Sequence, residues 1–161
     1  MAHNPVTGIL LAGGASTRFG SPKELAVYDG ETLGDRAWRL LGEACDERIR
    51  VGPGGLDDPR TGPVAAIAAG LRAASHEIAV VIPVDMPRLT SAALDELAAA
   101  CRDAAVAQQG PLPCAVARRA LPAFETDERR LRTVLDGLDT VRVELDDAML
   151  LNMNTPGDVE L

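Results

Sequence analysis

The run Ile78-Ala79-Val80-Val81-Ile82-Pro83-Val84 constrains the fold of this chain more than any other segment. It is apolar without alternation, so a strand made from it must be covered on both faces, as happens in parallel sheets flanked by helices. It is too short to cross a bilayer. The neighbouring segments supply what such a strand needs. Residues 6–12 form a second apolar run that ends in the small, flexible stretch Gly13-Gly14-Ala15-Ser16-Thr17, a buried strand entering a glycine-rich turn. Leu33, Ala37, Leu40, Leu41, Ala44 and Cys45 recur at helical spacing, and 48–51 read as the next strand.

The pattern then repeats. Residues 52–62, rich in glycine and proline, read as a surface loop, and Val64, Ile67, Ala68 and Leu71 mark a second amphipathic helix before the run at 78–84. Thr90 or Ser91 caps a third helix with Leu94, Leu97, Ala98 and Cys101 on its apolar side, and 104–107 make a fourth strand. Further on, 113–117 and 141–145 read as strands, 129–138 as a helix, and Thr155-Pro156 as the start of a stunted closing helix. Alternation of this kind predicts an α/β fold with a mostly parallel central sheet.

At 161 residues and 47% hydrophobic the chain suits a single domain over 1–161, and with only 2% aromatic residues its core must be built from Leu, Val, Ile and Ala. A formal charge of -8 argues against nucleic acid and anionic membrane partners. The start, Met1-Ala2-His3-Asn4-Pro5, lacks the basic flank and apolar stretch of a signal peptide, and Cys45, Cys101 and Cys114 form no metal-ligand spacing. A reduced, cytoplasmic protein is expected. His3 and His76 both read as surface residues rather than catalytic ones.

Three constellations carry chemistry. In the first, the strand end Leu11-Ala12 leads into a loop through Gly13, Gly14 and Ser16 to the cations Arg18 and Lys23. Backbone N–H groups of such a loop approach phosphate oxygens closely, and the two cations neutralise charge. Its spacing fits neither G-x-G-x-x-G nor the G-K-[ST] of a P-loop. In the second, Asp85 follows the central strand, where an acidic residue is placed to hold Mg²⁺ against a triphosphate or to cap a turn. In the third, Asn152 and Asn154 point the same way if the segment is extended, able to bind a polar heterocycle or simply to approach a helix cap.

The order Leu-Ala-Gly-Gly-x-Ser-x-Arg-x-Gly-x-x-Lys, then Asp-Met-Pro, then Asn-x-Asn-Thr-Pro resembles the molybdenum cofactor guanylyltransferase family of the nucleotidyltransferase superfamily. Lesser matches, including Gly62-Pro63 and Pro111-Leu112-Pro113-Cys114-Ala115-Val116, extend the resemblance over nearly the whole chain. It implies a single-domain, Rossmann-like three-layer α/β/α fold and transfer of GMP from GTP to the terminal phosphate of molybdopterin, with Mg²⁺ as cofactor. Leu11, Ala12 and Gly13 would then lie against the nucleotide, and Gly14, Ser16 and Arg18 along its phosphates. Lys23 would act at the reacting phosphates and Asp85 would ligate Mg²⁺. An aspartate before Gly-Pro, Asp57 or Asp58, would contact the nucleotide, and Asn152 and Asn154 would line the acceptor side. The N-terminal half would bind nucleotide and the C-terminal half acceptor, with transient contact to other cofactor-biosynthesis proteins.

Phe19 stands where the family usually has Met, loop 52–61 is shorter than usual, and the closing helix is nearly absent. The short loop leaves cytidylyl transfer to a phosphorylated small molecule as an alternative, and a non-catalytic nucleotide-binding relative as another. Lys23 and Asp85 together argue against the last, since a mere binder needs no such pair.

Overall fold

A computed structural model of the chain describes residues 4–12, 25–59 and 61–152. The signature loop at 13–24, Asn154 and the expected helix start at Thr155-Pro156 lie outside the described residues. Eight strands and five α-helices follow in chain order: β1 (Val6–Leu11), β2 (Val27–Tyr28), β3 (Glu31–Thr32), α1 (Leu33–Ala44), β4 (Glu47–Val51), α2 (Pro63–Ala73), β5 (Ile78–Pro83), α3 (Ser91–Ala100), β6 (Ala104–Ala107), β7 (Cys114–Ala117), α4 (Leu121–Phe124), α5 (Leu131–Asp136) and β8 (Thr140–Val143). Short 3₁₀ turns occupy Arg118–Ala120 and Asp147–Leu150.

Six strands form one sheet in the order β4-β1-β5-β7-β6-β8. β1 pairs parallel with β4 and β5, and β6 parallel with β8, while β7 runs antiparallel between β5 and β6. The sheet is therefore mostly parallel, as the uninterrupted apolar strands require. Successive side chains of one strand feed opposite layers. Leu10, Val80 and Ile82 pack with Leu41 and Leu97 of α1 and α3, whereas Ile9, Ala79 and Val81 pack with Ile67, Leu71 and Phe124 of α2 and α4. This is the expected three-layer α/β/α architecture.

Local chemistry explains the element ends. Thr32 caps α1 by accepting from the Asp35 N–H, and Thr90 caps α3 by accepting from the Ala93 N–H, which resolves the Thr90-or-Ser91 choice. The helix expected over 129–138 is shorter, Leu131–Asp136: it lacks a side-chain N-cap, and Gly137 closes it with its N–H on the Thr133 and Val134 carbonyls. At the amino edge of the sheet, the Glu47 carboxylate accepts from the Thr7 hydroxyl (2.8 Å) and from the Ser75 N–H and hydroxyl (2.9 and 2.8 Å). Burial of the carboxylate acts against its charge, but these hydrogen bonds win and hold the Glu47 carboxyl below its ordinary value of 4.5. That edge is stapled shut, and the opposite, carboxyl edge carries the loops.

Candidate functional site

Chain order reverses beside β1: the connection through α1 places β4 on one side of it, and the connection through α2 places β5 on the other. Ligands in open α/β sheets bind outside the carboxyl ends of the strands at such a point. Here Leu11 sits in register with Val51 on one side and Pro83 on the other, and the Ala12 N–H donates to the Val51 carbonyl at 2.9 Å. Ala12 is 3% exposed, so the backbone is held firmly up to the residue where the signature loop begins. Two residues past Pro83, half-buried Asp85 leaves the same edge. Leu11, Ala12 and Asp85 thus lie at the carboxyl ends of two adjacent parallel strands.

The loop after β4 is folded back by the Gly52 N–H on the Leu56 carbonyl (2.8 Å) and the Leu56 N–H on the Arg50 carbonyl (2.8 Å). A Cβ on Gly55 would collide with that Arg50 carbonyl, so the compact turn depends on glycine there. Half-buried Asp58 and exposed Asp57 follow on this loop. Gly62, at a φ of 103° that favours glycine, then leads into Pro63 at the first turn of α2, which has no side-chain cap.

On the other flank the chain leaves β8 and is tied back over the carboxyl edge. Gln109 Nε2 donates to the Leu145 carbonyl (2.9 Å) and to Asp147 Oδ1 (2.6 Å), and the Thr90 hydroxyl donates to Met149 Sδ at 3.7 Å. Asn152, exposed, follows this docked turn on the side of α3's N-terminus. Gly13, Gly14, Ser16, Arg18, Lys23 and Asn154 lie outside the described residues.

Sequence reasoning missed three residues at this edge: Tyr28, Arg36 and Gln109. For Tyr28 a signal existed, since Asp29-Gly30 between Val27-Tyr28 and Glu31-Thr32 is a tight-hairpin pattern, whereas Arg36 reads as an ordinary position on the surface of α1. Gln109 had none.

Among the described residues no group of three or more His, Cys, Asp or Glu side chains could hold a metal by itself. A single hard carboxylate oxygen, Asp85, matches a cation bound mainly through substrate phosphates and water, the usual arrangement for Mg²⁺. The cysteines offer no nucleophile: burial pushes Cys45 and Cys114 up to about 12 and Cys101 up to about 11, so all three stay protonated. No helix among the described residues is long and apolar enough to cross a membrane.

The MobA-like NTP transferase domain family matches residues 8–143. A probable molybdenum cofactor guanylyltransferase of Deinococcus radiodurans is 33% identical, over 96% of this chain and 92% of the relative. Among solved structures, a nucleotidyl transferase from Methanothermobacter superposes with a TM-score of 0.79 at 20% identity, covering 97% and 94% of the two chains. The molybdopterin-guanine dinucleotide biosynthesis protein A of Archaeoglobus fulgidus superposes with a TM-score of 0.69 at 23% identity, covering 94% of each.

Proposed function

The chain belongs to the MobA-like NTP transferase domain family and is a nucleotidyltransferase, and from that premise we propose that it transfers GMP from GTP to the terminal phosphate of molybdopterin, releasing pyrophosphate, in the cytoplasm. The observation that carries this reading is the convergence of Ala12, where the signature loop begins, and Asp85 at the carboxyl ends of adjacent parallel strands. The curated relatives named as guanylyltransferases support the choice of substrates.

The N-terminal half serves the nucleotide. Leu11, Ala12 and Gly13 lie against the nucleoside, Gly14, Ser16 and Arg18 along the phosphates, and Asp58 on the loop after β4 beside it. The acceptor phosphate, already ionised near neutral pH, attacks the α-phosphorus in line and needs no general base. Lys23 neutralises charge at the reacting phosphates, and Arg18 neutralises the departing pyrophosphate. Asp85 would hold Mg²⁺, which when bound supplies further charge neutralisation. Asn152 and Asn154 offer amides to the acceptor, and Gln109, through Leu145 and Asp147, anchors the segment that leads to them.

Titration of each nucleoside triphosphate into the purified protein, with and without Mg²⁺, tests the reading. GTP binding with a Mg²⁺-dependent increment is expected, and Asp85→Asn should remove that increment and the turnover while leaving the melting temperature unchanged, because Asp85 lies at a strand end and not in the core. Preferential binding of CTP would turn the assignment to cytidylyl transfer. Near wild-type turnover of Asp85→Asn at limiting Mg²⁺ would refute the metal role.

A further inference from the structure

The β2–β3 hairpin and the first turn of α1 touch the loop after β5 through side chains far apart in sequence. Arg36 Nε donates to the Pro87 carbonyl at 2.6 Å, and the same guanidinium lies 5.1 Å from the centroid of the Tyr28 ring and 3.4 Å from Glu31 Oε1. The Tyr28 hydroxyl accepts from Arg88 Nε at 3.0 Å. Tyr28 is only 8% exposed, and the Arg36 side chain 24%. A planar, always-charged guanidinium can stack on a ring and donate along its edge at once, which gives this cluster a fixed geometry.

The connection to Asp85 gives the cluster its meaning. Pro87 and Arg88 are the second and third residues after Asp85. The hairpin itself is rigid: Asp29 (φ 50°) and Gly30 (φ 83°) form its tight turn, and the Leu33 N–H donates to the Ala26 carbonyl at 2.7 Å to lock it onto α1. Glu31 is held below its ordinary value chiefly by the hydrogen bond from Arg39, so it remains an anion beside Arg36.

We infer that Tyr28 and Arg36 are positioning residues that hold the segment just after Asp85 against the hairpin and α1, so that the Asp85 carboxylate is presented to the metal in one place. This inference rests on the function proposed above. Arg36 acts through the Pro87 carbonyl and Tyr28 through the Arg88 side chain. A clamp of this kind matters most for the Mg²⁺ complex of the triphosphate, and least for nucleotide bound without metal.

The test compares the full chain with Tyr28→Phe, which deletes one oxygen and keeps the ring stack, and with Arg36→Lys, which keeps the charge and loses the planar donor edge. GTP binding is measured by calorimetry across a Mg²⁺ series, together with melting temperature. Loss of the Arg88 bond should raise the Mg²⁺ concentration for half-maximal GTP binding about fivefold in Tyr28→Phe, with a larger rise in Arg36→Lys. GTP affinity without Mg²⁺ should be unchanged in Tyr28→Phe, and excess Mg²⁺ should restore wild-type affinity. A purely structural role predicts a lower melting temperature and a reduced fraction of binding-competent protein with an unaltered Mg²⁺ dependence, and that result overturns the inference. If the wild-type chain binds no GTP at any Mg²⁺ concentration, the functional reading falls and this inference with it; if it binds and Tyr28→Phe matches it throughout, the inference alone falls.

Discussion

Two cations of the opening motif sit beside the same phosphates in the proposed function yet are asked to do different work. Arg18 offers a flat fork suited to holding departing phosphates, whereas Lys23 offers a compact charge suited to the reacting centre, where negative charge builds up in the transition state. Lys23→Ala should therefore lower kcat by about two orders of magnitude or more with a small change in GTP KM, and Arg18→Ala should chiefly raise the KM. Steady-state kinetics of the two variants side by side checks this, and an effect of Lys23→Ala confined to KM would make it a binding residue only. The place of Asp85 was legible, because an uninterrupted apolar run ending in an acidic residue puts that residue at the carboxyl end of a central strand; the run alone does not choose between a metal ligand and a turn cap. The Arg36–Pro87 contact was not legible, because it joins residues 51 apart through a side chain whose sequence context is an ordinary helix surface.

Elements were readable wherever a period had room to declare itself. α1, α2, α3 and β5 are long enough for helical spacing or continuous burial to show, and Thr90 announced the start of α3. β2 and β3, two residues each, are shorter than one repeat of any pattern, so only their Asp29-Gly30 turn betrays them. Strand direction is equally silent: 113–117 reads as a strand, but nothing in Cys114-Ala115-Val116-Ala117 says that it runs against its neighbours. Where α2 meets β1 the packing is tight enough to predict an energy. A Cβ on Gly70 would stand 2.8 Å from Ile9 Cδ1 and 2.9 Å from its Cγ2, so Gly70→Ala should destabilise the fold by about 1–2 kcal/mol even after the helix-propensity gain of roughly 1 kcal/mol. On α1, a Cβ at exposed Gly42 would stand 3.1 Å from the Arg48 guanidinium, the far end of an exposed side chain held by Trp38, so a shift of a few tenths of an ångström there offsets part of the helix-propensity gain and Gly42→Ala should be neutral or stabilising by less than about 1 kcal/mol. Urea denaturation of the two variants reads both signs; equal effects would contradict the close approach of α2 to the sheet.

In the molecule as a whole, the two edges of one sheet differ in what they carry. The amino edge is closed by Glu47, Thr7 and Ser75, and the carboxyl edge gathers β1, the loop after β4, Asp85 and the returning segment that reaches Asn152. The proposed function asks an acidic chain to handle anionic substrates, and it assigns that charge neutralisation to Arg18 and Lys23 of the opening motif. The measurement that tests the central claim most directly is incubation of the protein with Mg²⁺, molybdopterin and GTP labelled at the α-phosphate. The account predicts that label passes into a molybdopterin–guanine dinucleotide with one pyrophosphate released per product formed, and that Asp85→Asn stops both. Label remaining in GTP or recovered as free GMP, with no dinucleotide formed, would contradict it.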